Sequence, residues 1–112
     1  METTRQKKFS RLIQKELAEH LLFLFRNKFA GTLVSVTTIR VTPDLQEAKV
    51  YISIFPADKQ KLIMDELEIQ KKTIKYEIGQ KLKTQLRHIP ELRYYVDDSL
   101  DYAEKIDNLL KN

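Results

Sequence analysis

Ile69-Gln70-Lys71-Lys72-Thr73-Ile74-Lys75-Tyr76-Glu77-Ile78-Gly79-Gln80-Lys81-Leu82-Lys83-Thr84-Gln85-Leu86-Arg87-His88-Ile89-Pro90-Glu91-Leu92-Arg93-Tyr94-Tyr95-Val96-Asp97 is the stretch whose reading decides the fold. Ile74, Ile78, Leu82 and Leu86 recur every four residues and so form one apolar stripe on a helix. Lys75, Gly79, Lys83 and Arg87 each sit one residue further on, which at 100° per residue makes a cationic stripe beside the apolar one, broken by a glycine. Pro90 pushes Ile89 out of the helical region, and Leu92 to Val96 then reads as a short aromatic strand. A helix that packs on one side and holds fixed positive charge beside it suits phosphate binding. A solvated surface face is the ordinary alternative for such a charge run.

Working back from this stretch, residues 59–88 read as helical, and the apolar stripe of Leu62, Ile63 and Leu67 lapses at Gln70-Lys71-Lys72 before resuming at Ile74. Two helices joined by a kink near 69–73 are expected, with Asp58 as N-cap. Before them, residues 32–42 are rich in β-branched side chains and residues 48–55 alternate, with Val50, Ile52 and Ile54 facing a core and Lys49, Tyr51 and Ser53 facing away. Thr42-Pro43-Asp44-Leu45 is a turn with Pro43 pre-set for its second position, so the two strands form an antiparallel hairpin. Residues 4–27 form the first helix, capped by Thr3 or Thr4 and stopped at Ala30-Gly31, with Gly31 able to turn left-handed. Its core stripe is Phe9, Leu12, Ile13, Leu17, Leu21 and Leu24, while Lys8, Arg11 and Lys15 share another face. A last helix carrying Tyr102, Ala103, Ile106, Leu109 and Leu110 is expected after Asp98 or Ser99. The resulting order is α-β-β-α-α-β-α, an α+β domain with a three-stranded sheet and helices on one face.

At 112 residues the chain is expected to be one domain, 1–112. Its net charge of +4 is segregated: +4 over residues 1–28, −2 over 29–68, +5 over 69–93 and −3 over 94–112. Segregation of this kind is what a polyanion-binding face requires. There is no cysteine, which removes disulfides, thiolate metal sites and thiol nucleophiles. The longest apolar run, Leu21 to Phe25, is far short of a membrane span, and no signal-peptide core is visible, so a cytoplasmic protein with no membrane contact is expected. His20 and His88 lie far apart, and His20 reads as a core-edge residue rather than a ligand. Asp97 and Asp98 are neighbours that point to opposite faces, and Glu91 simply follows a proline at a strand start. With no paired-carboxylate, metal-ligand or phosphate-cradling motif, neither an enzyme nor a cofactor nor a small-molecule substrate is expected. Tyr51, Tyr76 and Tyr95 are either sheet and helix packing residues or stacking platforms for bases.

The hairpin Ile39-Arg40-Val41-Thr42-Pro43-Asp44-Leu45 and Ala48-Lys49-Val50-Tyr51-Ile52-Ser53 resembles a signature of bacterial ribosome-binding factor A. So do Leu86-Arg87, Pro90-Glu91-Leu92, Tyr94-Tyr95 and Asp97-Asp98-Ser99-Leu100, and Arg5-Gln6-Lys7-Lys8-Phe9-Ser10-Arg11-Leu12-Ile13-Gln14-Lys15-Glu16-Leu17 is similar to that family's first helix. The resemblance implies a type II KH-like domain. It also implies a non-enzymatic factor that binds the immature 30S subunit and the 5′-end region of its 16S rRNA in late rRNA processing, with a link to cold adaptation in some bacteria. Where that family commonly carries an Ala-x-Gly kink, and ordinary KH domains a GxxG loop, this chain has Gln70-Lys71-Lys72.

The expected RNA-binding residues are Lys71, Lys72, Lys75, Lys83 and Arg87 at the centre, extended by Lys8, Arg11 and Lys15, all as phosphate contacts. The expected partner is the small ribosomal subunit with its rRNA, bound by a monomer. The alternatives are a protein-interaction adaptor using the acidic C-terminal helix or a sheet edge, and a generic single-stranded RNA-binding KH module, which the missing glycine loop disfavours.

Overall fold

A computed structural model describes residues 2–97; the expected last helix and its Tyr102–Leu110 stripe lie outside them. Helix α1 spans Thr4–Lys28. Its N-cap is Thr3, which closes a capping box with Gln6: the Gln6 amide donates to the Thr3 hydroxyl at 3.1 Å and the Thr3 amide donates to the Gln6 side chain at 2.7 Å. The same Gln6 side chain is buried and donates to the Val41 carbonyl at 2.8 Å, tying the helix start to the sheet. Gly31 takes φ +83°, the left-handed turn that a glycine permits.

Strands β1 (Leu33–Val41) and β2 (Glu47–Phe55) pair antiparallel as the expected hairpin, and β3 (Glu91–Val96) adds in parallel beside β2. A bulge at Thr37 shifts the register between Val36 and Thr38. The extra residue reverses the alternation, so Val34 faces the core on one side of it and Ile39 and Val41 do on the other. Val50, Ile52 and Ile54 face inward as their alternation requires.

Helix α2 spans Gln60–Leu82 and connects β2 to β3 across the same sheet face that α1 covers. It is one unbroken helix, not two joined by a kink near 69–73. The positions where the apolar stripe lapses are filled by polar side chains that reach partners. Glu66, which is buried, accepts from Lys28 of α1 and from Gln70 at 3.0 Å, and Lys71 lies 3.5 Å from Glu91. Hydrogen bonds thus replace apolar contact over these turns, and nothing interrupts the backbone ladder. A short 3₁₀ turn, Ala57–Lys59, precedes α2 and contains Asp58, so Asp58 is not its N-cap.

The helix also ends earlier than residue 88. Lys83 is its C-cap, and the Gln85 and Leu86 amides both bond back to the Leu82 carbonyl in a closing turn. Leu86 remains buried through this turn even though it has left the helix. Ile74, Ile78 and Leu82 are fully buried against Ile13, Leu17, Leu21, Val50 and Leu92. Each such side chain contributes about 1.5–3 kcal/mol of apolar burial.

Candidate nucleic-acid interface

The helix end, the closing turn and the first residue of β3 surround one groove. Lys71, Lys72, Lys75, Tyr76, Gly79 and Lys83 line it from α2 and its cap, and Arg87, His88, Ile89 and Glu91 line it from the loop and strand. Five expected phosphate contacts, Lys71, Lys72, Lys75, Lys83 and Arg87, are therefore brought together. Arg87 arrives from the loop and not from the helical stripe that its spacing suggested.

The loop is held rigidly enough to aim them. Leu86 is buried, and His88 donates from Nε2 to the Leu45 carbonyl at 2.9 Å while its ring lies 5.9 Å from that of Phe9. Leu45 itself has φ +62°, and its buried side chain offsets the strain of that conformation. The Glu91 amide donates to the Gln46 carbonyl at 2.8 Å, which fixes the start of β3 on the same hairpin loop. At Gly79 an added Cβ would lie 3.5 Å from Ile89 Cγ1, an ordinary contact, so the groove floor does not demand a glycine.

Charge in the groove is uneven. Glu91 accepts from Lys75 at 3.0 Å and stands 3.5 Å from Lys71, so one carboxylate partly neutralises two of the five cations. The hydrogen bond and charge of Lys75, followed by Lys71, hold the Glu91 carboxyl below the usual glutamate range. Lys72, Lys83 and Arg87 form no ion pair among the described residues. Nothing in the sequence signals the Glu91 pairing, because Lys71 and Lys75 are distant along the chain and meet it only through the α2–β3 crossover. Burial, reinforced by the negative charge of Glu68 and Glu91, pushes the Tyr94 phenol up and keeps it neutral.

A second, smaller groove continues from the first. It is lined by Arg5, Lys8, Phe9, Gln85 and the shared residues Leu86, Arg87 and His88. Lys8 thus joins the cationic surface through Arg87, along with Arg5. Arg11 and Lys15 are exposed on α1 but line neither groove. Tyr76, His88 and Glu91 complete the site, and of these only Tyr76 carried a sequence signal, its place on the basic helix. No cluster of three or more metal-ligating side chains occurs among the described residues, nor does any helix there have the length and apolarity to cross a membrane.

A sheet of order β1-β2-β3 with β2 and β3 parallel, two helices on one face and a cationic groove at the helix–strand junction define a KH-like binding domain. The ribosome-binding factor A family pattern matches residues 5–110. A ribosome-binding factor A from Flavobacterium psychrophilum is 44% identical over 98% of this chain and 85% of the relative. Among solved structures, the crystal structure of ribosome-binding factor A from Thermus thermophilus superposes with a TM-score of 0.65 at 18% identity, over 81% of this chain and 94% of that one. A homology model of Thermus thermophilus ribosome-binding factor A, fitted into the cryo-EM map of its 30S complex, matches with a TM-score of 0.58 at 17% identity, over 88% of this chain and 97% of that one. The chain belongs to the ribosome-binding factor A family, which is a non-enzymatic family of ribosome-binding proteins.

Proposed function

We propose that this chain binds the immature 30S subunit and its 16S rRNA near the 5′-end region, and acts in late rRNA processing as a subunit maturation factor. The observation that carries this reading is the convergence of Lys72, Lys83 and Arg87, unpaired among the described residues, around one groove whose other two lysines are partly neutralised by Glu91. The small subunit as partner is supported by the Thermus thermophilus relative, which was fitted into a 30S complex. The groove side chains act as phosphate contacts that position the protein, and recognition comes from the shape of the subunit precursor. The chain works in the cytoplasm as a single-domain monomer across residues 1–112, with a part in cold adaptation.

Reversing the two unpaired lysines, Lys72→Glu with Lys83→Glu, tests the site. Co-sedimentation with small subunits is expected to be lost while circular dichroism stays native; unchanged co-sedimentation sinks the assignment. Nuclease treatment of a pull-down adds a control, since RNA-held partners disappear and protein-held ones stay.

A further inference from the structure

The outer face of the sheet, turned away from both helices, is built in ordered rows. Val41, Ala48 and Leu92 are register partners and are buried, and so are Ile39, Val50 and Tyr94. The row between them points outward and consists of Arg40, Lys49 and Arg93, all exposed and directly opposite one another across three strands. The next outward row is Thr38, Tyr51 and Tyr95, in which the two tyrosine rings stack at 5.6 Å and 29° and Tyr95 is 41% exposed.

Like charges placed directly opposite on a sheet face are destabilising. Among the described residues only Arg93 has an acid to answer it, Glu47 at 3.0 Å, and Arg40 and Lys49 form no ion pair. A row of cations beside a row of stacked aromatics is the chemistry that holds an unpaired nucleotide chain, with phosphates on the cations and bases on the rings. Outward rows lie roughly 7 Å apart along a strand, which lets one nucleotide reach both. A duplex offers no open base face to a flat sheet, and an acidic peptide would use the cations but leave the tyrosines idle. Glu47 bounds the patch at one end. Asp97, bonded by the Thr37 hydroxyl, bounds it at the other, so the site suits a short stretch.

We propose that this sheet face is a second RNA-binding surface, separate from the groove, taking one or two unpaired nucleotides on Tyr51 and Tyr95 with their phosphates on Arg40 and Lys49. It does not rest on the groove assignment.

The test uses the full chain and fluorescently labelled oligouridine, with a duplex of equal length as comparison, both in the native protein and in the groove-silenced Lys72→Glu/Lys83→Glu protein. Oligouridine binding should survive in the groove-silenced chain. There, Arg40→Gln/Lys49→Gln should weaken it about tenfold and lower the slope of log affinity against log salt by about 1.4 for two phosphates on a single strand. Tyr95→Leu should weaken it about 5- to 150-fold, while Tyr95→Phe retains it. The charge-neutral pair should melt no lower than the native protein, since it removes a repulsion; loss of RNA without loss of stability identifies a binding role. Oligouridine binding that vanishes with the groove, or is indifferent to all three sheet variants, overturns the proposal. So does equal affinity for duplex with a silent Tyr95→Leu. Sheet variants that spare RNA binding but abolish capture by ribosomal proteins alone would assign the face to a protein and overturn it as well.

Discussion

The groove beside α2 and the outer face of the sheet both collect cations, but they do so by different routes. In the groove the charges come from one helix and one loop, and Glu91 intervenes between two of them at 3.0 and 3.5 Å. On the sheet they come from three strands, set opposite each other by register, and among the described residues only Arg93 has an acid partner. The groove therefore holds its cations in fixed positions at some cost in free charge, whereas the sheet leaves Arg40 and Lys49 without an acid partner among the described residues, at some cost in stability. A shaped, partly neutralised site fits a structured ligand, and an open, unneutralised one fits a flexible strand.

The largest effect expected from this contrast is in the groove. Each reversed lysine in Lys72→Glu/Lys83→Glu should cost about tenfold in small-subunit affinity, or roughly 1.4 kcal/mol, read by co-sedimentation at fixed salt. Equal losses from reversing Arg11 and Lys15, which lie outside both grooves, would show that only overall charge matters and would erase the distinction between the two surfaces.

Glu91→Gln should act in the opposite direction. Freeing Lys71 and Lys75 should tighten binding to unstructured RNA several-fold and steepen its salt dependence by up to about 0.7 per added phosphate contact. The pair is partly exposed, so stability should change by less than about 1 kcal/mol. The corresponding change at Glu47 should affect the sheet face alone. If Glu91→Gln weakens RNA binding instead, Glu91 organises the lysines and does not restrain them.

The two surfaces were not equally legible in the sequence. The N-cap at Thr3 or Thr4, the β2 alternation, the turn at Pro43 and the stripe of Ile74, Ile78 and Leu82 are local patterns, and each led to the right element. The groove cations were readable because Lys75 and Lys83 follow that stripe by one residue. The expected kink does not form: a lapse in apolar periodicity looks the same whether the helix breaks or polar residues take over the buried positions, and the Lys28–Glu66–Gln70 chain does the latter. The sheet row was invisible. Arg40, Lys49 and Arg93 are far apart in sequence, and the Thr37 bulge changes which β1 residues face outward. Register is a tertiary property, and a strand read alone cannot supply it.

Smaller effects refine the groove floor and the helix interface. Gly79→Ala should stabilise the protein by about 0.4–1 kcal/mol, since its Cβ meets only an ordinary contact with Ile89. RNA affinity should be unchanged; a clear loss would mean that a phosphate approaches the Gly79 backbone. The smallest effect concerns His20, whose burial, with Lys81 nearby and despite Glu77, pulls its pKa below the usual histidine value of 6.5. The unfolded chain then takes up a proton before the folded one does, so stability should fall as pH drops through and below 6.5. Thermal melts across this range should show a shallow decline that His20→Gln flattens, with no change in how either surface binds RNA.

Sedimentation of the tagged full chain across free small subunits, large subunits and whole ribosomes tests the central claim most directly. Native protein should concentrate on free small subunits, above all on precursors, and the Lys72→Glu/Lys83→Glu protein should stay at the top of the gradient. Enrichment on whole ribosomes, or a groove-reversed protein that sediments like the native one, would contradict it.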